Sequence, residues 1–265
     1  MPEGHTVHRI ANQFNEHFAS RKLKVSSPQG RFAEDAELVS GKKLQVAEAF
    51  GKQMFLQFSN SLQIRIHLGI YGKWQIQKIE AAEEIPWGQV RVRFQSPTHV
   101  ADLRGPTACE VLDQEDVAAV VSKLGPDPLR PDPNETERLR FIERVLKSKT
   151  SIGLLLMNQS VISGIGNVYR AEILFRQGIN PHKSGSALSP DEISSIWSDA
   201  VKLLAFGVKK GIMVTRDELL GKSPKFEDRY FVYKRNGLPC RVCGKKVVLE
   251  EMGSRKLYFC PSCQR

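Results

Sequence analysis

A chain of 265 residues with 41% hydrophobic and 26% charged residues can bury a real core, and its balance excludes a chain that stays disordered. Its apolar runs are too short to cross a membrane, and the opening MPEGHTVHRI lacks the basic-then-apolar pattern of an export signal, so a cytoplasmic protein is expected. The net charge of +10 is concentrated: residues 222–265 hold 11 Lys and Arg against 4 Asp and Glu, one sixth of the chain with most of the surplus, and a polyanion is its natural partner.

In chain order, residues 5–19 set Val7, Ile10, Ala11, Phe14 and Phe18 at the helical period, which predicts a helix with one buried face. Segments 43–49, 53–58, 62–67, 72–77 and 90–95 are short and rich in β-formers, divided by breakers such as Gly51-Lys52, Ser59-Asn60 and Gly69. They predict a β-sandwich or barrel with the helix laid against it. The proline-rich residues 124–133 read as an extended linker. Helices are expected over 135–147, 151–159, 167–177 and 190–206, the last opened by Ser189-Pro190-Asp191-Glu192, and residues 207–229 read as a loop. The fold class is α+β. Its expected domains are an N-terminal sandwich (1–124), a linker (125–134), a helical domain (135–228) and a terminal metal module (229–265).

That last module rests on Cys240-x-x-Cys243 and Cys260-x-x-Cys263. Each pair on a tight turn aims two sulfurs at one point, and a hairpin over the sixteen intervening residues brings the pairs together into a tetrahedral thiolate site. With every position filled by sulfur, one structural zinc is expected, and zinc binding supplies on the order of 10 kcal/mol to so small a module. Cys109 reads as a buried free thiol.

Met1-Pro2-Glu3 opens the chain. Removal of Met1 exposes a secondary amine, which is largely unprotonated near neutrality compared with a lysine and condenses with an aldehyde carbon to a cationic iminium. Glu3 beside it, at a helix start, can move protons; alone, a Pro-Glu start more often just opens a helix. In the stretch from Gln159 to Phe175, a helix ends, two turns pass through Gly164 and Gly166, and a new helix starts at Asn167. Amides at such a start, with the Asn side chain, make a phosphate clamp, and Glu172 is expected to hold the preceding turn through backbone N–H groups.

Taken together, Pro-Glu-Gly at the start, Gly51-Lys52 between strands, the helix–two-turn–helix of 151–176 and the terminal four cysteines followed by Gln264 resemble the formamidopyrimidine-DNA glycosylase/endonuclease VIII family along the whole chain. The resemblance implies a bifunctional repair enzyme acting as a monomer on double-stranded DNA with damaged bases or abasic sites. In that scheme Pro2 attacks C1′ of the damaged nucleotide, Glu3 shuttles protons at the opened sugar, and β,δ-elimination nicks the strand. Lys52 matches the family's hairpin lysine, Asn167 its phosphate-binding asparagine, and Arg255 its zinc-hairpin arginine. A duplex hides C1′, so the nucleotide must be extruded and the void filled; Ile70 and Tyr71 stand where the family places its wedge, while Gly69 departs from the polar residue typical of endonuclease VIII proteins. The purine branch carries an aromatic wedge residue in an Asp-Pro-Arg-Arg-Phe-Gly context, whereas here Asp102-Leu-Arg104-Gly-Pro-Thr107 has none. That favours the endonuclease VIII branch and oxidised pyrimidines, with Arg104 as a further phosphate contact. Specificity for 8-oxoguanine or formamidopyrimidine, and a non-catalytic DNA-binding protein, are the alternatives.

Overall fold

The computed structural model describes residues 2–265, so the expected removal of Met1 concerns a residue outside those described. The chain divides into two compact units, joined between Lys123 and Leu124.

The first unit runs α1 (Gly4–His17), β1 (Lys24–Ser26), α2 (Ala33–Val39), β2 (Leu44–Phe50), β3 (Gln53–Phe58), β4 (Gln63–His67), β5 (Lys73–Lys78), β6 (Val90–Gln95), β7 (His99–Arg104), β8 (Ala108–Leu112) and α3 (Gln114–Ser122). Its strands form two antiparallel four-stranded sheets, ordered β1-β6-β7-β5 and β2-β3-β4-β8. Leu56, Phe58, Ile64 and Ile66 of one sheet share a core with Val92, Phe94, Ala101 and Leu103 of the other, as alternating strands of a sandwich require. α1 enters this core through Phe14, whose ring meets Trp74 and Phe94 edge-on at 4.8 and 5.6 Å. Asn15 fixes the helix along β2: its Nδ2 donates to Ala47 O and its Oδ1 accepts from Ala47 N, each at 2.8 Å. The chain start is thereby held in register with the β2–β3 hairpin.

The second unit contains α4 (Thr136–Leu146), α5 (Ile152–Leu155), α6 (Asn167–Arg176), α7 (Pro190–Lys210), β9 (Val248–Glu251) and β10 (Lys256–Phe259). Phe141, Ile165, Tyr169, Leu174, Ile193, Trp197 and Leu203 form its helical core. α7 begins with a capping box, Ser189 accepting from Glu192 N and Glu192 from Ser189 N. A smaller core joins Ala171 and Phe175 of α6 to Val232, Cys240, Val247, Tyr258 and Cys260, so the terminal module shares apolar contacts with that helix.

Three expectations meet a different local structure. The proline-rich stretch is partly packed: residues 125–128 are buried, Gly125 N donates to Gln159 O at 2.8 Å and Pro126 O accepts from Ser163 N at 2.9 Å. Glycine is needed there because a Cβ at 125 would lie 2.6 Å from the Val161 carbonyl carbon. The helix expected over 151–159 shrinks to the single turn Ile152–Leu155, because Asn158 and Gln159 bond to nearby backbone. Finally, the loop expected from 207 begins only at Gly211, a left-handed cap (φ 73°) closing α7.

Candidate functional site

Pro2 is half-buried just ahead of α1, and Glu3 occupies the position before the first helical residue with extended backbone (φ −122°, ψ 178°). Glu3 is 0% exposed, and its carbonyl accepts from Thr6 N at 2.9 Å. Its carboxylate belongs to the positive end of the helix, where an anion is favoured. Pro2 lines a groove of about 410 Å³ together with Thr6 and Ile10 of α1 and with Leu68, Ile70 and Trp74. Two of the sequence-predicted residues, Pro2 and Ile70, thus border one space although they are far apart in the chain.

Gly51-Lys52 forms the two-residue connection of the β2–β3 hairpin, with Phe50 paired to Gln53 and Gly51 at φ 59°. Lys52 makes itself felt at His67, the residue paired with Gln53 on β4. Burial, then the charges of Arg65 and Lys52, hold the His67 imidazole below its usual pKa. His5 is buried in α1 and pushed down to about 4, first by burial and then by neighbouring positive charge, so it is neutral at physiological pH.

The predicted wedge sits on the β4–β5 connection, with Ile70 44% and Tyr71 78% exposed. Its departure at Gly69 has a steric cause. Gly69 has φ 63°, and a Cβ there would lie 1.8 Å from Thr107 Oγ1. Thr107 N donates to His67 O at 2.8 Å, so the residues before β8 press against the wedge connection, and a side chain at 69 requires the Thr107 hydroxyl to move aside. Gly72 is equally confined, a Cβ there meeting Leu68 O at 2.3 Å. Sequence reading missed Thr107, for which no local signal exists.

Arg104 is engaged within its own unit. It donates to Trp87 O through Nε and Nη2 (3.2 and 2.8 Å) and to Gln75 Oε1 (3.2 Å), and it lies 3.5 Å from Asp102. Beside it, the buried pair Arg93–Asp102 is bidentate at 2.7 and 2.9 Å. Three of the five guanidinium N–H groups of Arg104 thus hold the segment before β6 and Gln75 of β5.

In the second unit Gln159 stitches the two turns: Nε2 donates to Met157 O and Ile165 O, and Oε1 accepts from Gly164 N (3.2, 3.0 and 3.0 Å). Gly164 turns at φ 90° and Gly166 precedes the first residue of α6. Asn167 lies at that helix start, nearly buried, with Nδ2 donating to Lys256 O at 2.8 Å and Oδ1 accepting from Arg170 at 2.5 Å. Glu172 does not hold the preceding turn. It reaches two segments further along the chain, 43 and 59–61 residues on: Oε2 accepts from Thr215 Oγ1 (2.5 Å) and Phe231 N (2.8 Å), and Oε1 from Val232 N and Tyr233 N (2.8 Å each). The expectation misplaced these partners because a buried carboxylate advertises a need for donors but not their position in the chain.

Cys240, Cys243, Cys260 and Cys263 converge, all four sulfurs within 4.8 Å of one another. Sulfurs 2.3 Å from a tetrahedral zinc stand about 3.8 Å apart, and the pairs 240–263 and 243–260 are separated by 3.9 and 3.5 Å. Hydrogen bonding from the Lys245 backbone pulls the Cys243 thiol down to about 6, while burial pushes Cys260 and Cys263 up. Four thiolates so close need a dication to coexist, and the cluster fits one structural zinc ion. β9 and β10 join the pairs, with Val248 opposite Phe259 and Glu251 opposite Lys256. Met252 and Arg255 exchange backbone hydrogen bonds around Gly253 (φ 60°) and Ser254 (φ 56°), a left-handed pair that closes the hairpin and leaves the Arg255 side chain exposed. Gln264 ends the module by accepting from Cys260 N and donating to Ile179 O.

Comparison with known proteins covers both units. Family models described as the formamidopyrimidine-DNA glycosylase N-terminal domain, the formamidopyrimidine-DNA glycosylase H2TH domain and the zinc finger found in FPG and IleRS match residues 1–109, 124–218 and 237–265. Endonuclease 8 1 of Mycobacterium tuberculosis H37Rv is 42% identical over 271 residues, covering 100% of both chains. The formamidopyrimidine-DNA glycosylase of Syntrophomonas wolfei is 30% identical over 274 residues, again covering 100% of both. Among solved structures, Lactococcus lactis Fpg in complex with DNA containing N7-benzyl-Fapy-dG superposes with TM-score 0.80 at 23% identity, covering 100% of both chains. At that identity the likeness speaks for the fold. Among the described residues no helix is long and apolar enough to cross a membrane.

Proposed function

This chain belongs to the formamidopyrimidine-DNA glycosylase/endonuclease VIII family of DNA glycosylases, and on that footing we propose that it is a bifunctional glycosylase and AP lyase that removes oxidised pyrimidines from double-stranded DNA. The observation that carries the reading is the shared groove of Pro2 and Ile70, with Glu3 buried at the same helix start. Once Met1 is removed, the Pro2 nitrogen is a secondary amine beside a space that an extruded nucleotide can enter. The amine attacks C1′, Glu3 donates a proton as the sugar ring opens, and the base departs to leave an iminium joining Pro2 to the sugar. The cation withdraws electrons, so a proton at C2′ is lost and the 3′ phosphate is eliminated; a second elimination releases the 5′ phosphate. Ile70 and Tyr71 fill the emptied stack. Lys52, Asn167 and Arg255 take DNA phosphates, Arg255 by a charge-assisted bond and Asn167 through the N–H that does not serve Lys256 O.

The pyrimidine preference draws support from two features: the higher identity to endonuclease 8 1 than to the formamidopyrimidine-DNA glycosylase of S. wolfei, and the lack of an aromatic residue between Asp102 and Thr107. Single-turnover excision from duplexes carrying thymine glycol or dihydrouracil, compared with 8-oxoguanine, tests it. Faster excision of the pyrimidines is expected; a strong preference for the purine overturns the branch assignment while leaving the lyase chemistry in place.

A further inference from the structure

Arg170 is 0% exposed, and it is among the largest fully buried side chains of the protein. A guanidinium in such a place costs several kcal/mol in desolvation unless its donors are matched, and an apolar residue of similar volume fills a core more cheaply. Its bonds therefore say what it is for. Nη2 donates to Asn167 Oδ1 at 2.5 Å and to Lys256 O at 3.2 Å; Nη1 reaches Gly153 O at 3.4 Å and Met252 O at 3.5 Å. Met252 and Lys256 bracket the Gly253-Ser254-Arg255 turn, so one planar fork spans the base of the hairpin tip.

The bond to Asn167 has a second consequence. A primary amide can face either way, and guanidinium nitrogens are donors only. Arg170 beneath Asn167 accepts just one orientation, with Oδ1 inward and the NH2 group turned toward Lys256 O and the surface. The opposite orientation would set donor against donor in a buried site. The tip also meets the helical part of the unit: a Cβ at Gly253 would lie 2.7 Å from Leu154 Cδ2.

We propose that Arg170 is a positioning residue for DNA binding: it fixes the amide orientation of Asn167 and the height of the Arg255 turn with a single buried fork, so that two phosphate ligands from different elements arrive in register. This rests on the reading of Asn167 and Arg255 as phosphate ligands. Sequence reading passed over it, although Arg170 stands three residues after Asn167 on the same helix face.

The test measures binding to a duplex with a reduced abasic site, across a salt series, for wild type, Arg170→Met, the Asn167→Ala/Arg255→Ala pair, and the combination of all three. Zinc content is read in parallel. Arg170→Met keeps volume and removes the fork; affinity should fall about 10- to 100-fold, as for loss of one or two charged hydrogen bonds. The salt slope should shrink by about 0.9 for each phosphate the variant no longer neutralises. In the Asn167→Ala/Arg255→Ala background the same substitution should change affinity by less than about threefold, because its beneficiaries are gone. An equal loss in both backgrounds, or an unchanged slope in the otherwise wild-type protein, makes Arg170 a fold residue only and overturns the proposal. If Arg170→Met loses zinc, Arg170→Lys, which keeps the charge without the fork, takes its place under the same criteria. Should the Asn167→Ala/Arg255→Ala pair itself bind with wild-type affinity and slope, the phosphate reading fails, and the proposal with it.

Discussion

Replacing Glu172 by Gln removes one acceptor oxygen from a site where four donors converge. The least costly arrangement keeps Oε1 on Val232 N and Tyr233 N and turns the new NH2 toward Thr215, whose hydroxyl can donate instead to Arg229 O, 3.2 Å away. Phe231 N–H then faces another donor. An orphaned buried amide costs about 1–3 kcal/mol, and the two surviving bonds each lose about 1 kcal/mol of charge assistance. Relief from burying a charge offsets part of this; burial pushes the Glu172 pKa up, against the pull of its four hydrogen bonds. A net loss of about 2–4 kcal/mol is expected in urea unfolding, with faster amide exchange concentrated at 231–233. These residues lead into the zinc hairpin, and Phe231 stacks on Phe175 at 5.0 Å, so DNA affinity should fall as well. A loss below about 0.5 kcal/mol with unchanged protection at 231–233 would refute the reasoning, because surface substitutions alone move stability by that much.

Gly69→Gln, which restores a polar residue at the wedge, should destabilise the protein by about 2 kcal/mol or more and slow excision, since it combines left-handed strain with the Thr107 clash. Thr107→Gly in the same chain should recover part of the activity; full activity of Gly69→Gln alone contradicts the steric account. Cys260→Ser should lose zinc and DNA affinity together, read by a chromophoric chelator assay and by duplex binding, because Cys260 packs with Ala171 and Phe175 as well as joining the sulfur cluster. Retained affinity in the zinc-free protein would separate the metal from the interface. Glu3→Gln should bind damaged duplex while excising bases at least about 100-fold more slowly, the typical share of a proton-transferring group; excision near the wild-type rate would remove Glu3 from the chemistry.

Elements with one buried face were legible in the sequence. α1 announces itself through Val7, Ile10, Phe14 and Phe18, and β3 and β6 appear with their expected bounds. β7 was not legible, because Val100, Ala101, Asp102 and Leu103 are all buried in a strand flanked on both sides, and the buried Asp102 depends on its pairing with Arg93 and Arg104. α3 buries no residue fully; its short stripe of Val117, Val120 and Val121 stands at helical spacing but stays half-buried, and it went unread. The cysteine cluster was legible because metal geometry fixes ligand spacing over short chain segments. By contrast, Gly69 against Thr107, Glu172 against 231–233, and Arg170 beneath the hairpin depend on which distant segment arrives beside them. Periodicity carries no information about such encounters.

The central claim is that the Pro2 nitrogen becomes covalently bonded to the sugar of a damaged nucleotide. Incubating the mature protein with an abasic-site duplex in the presence of borohydride reduces the iminium to a stable amine, and peptide mapping locates the bond. The account predicts a cross-link on Pro2 that is lost when the amine is acetylated beforehand. A cross-link mapping to Lys52 or another lysine, or none at all on a duplex that the protein demonstrably binds, would contradict it.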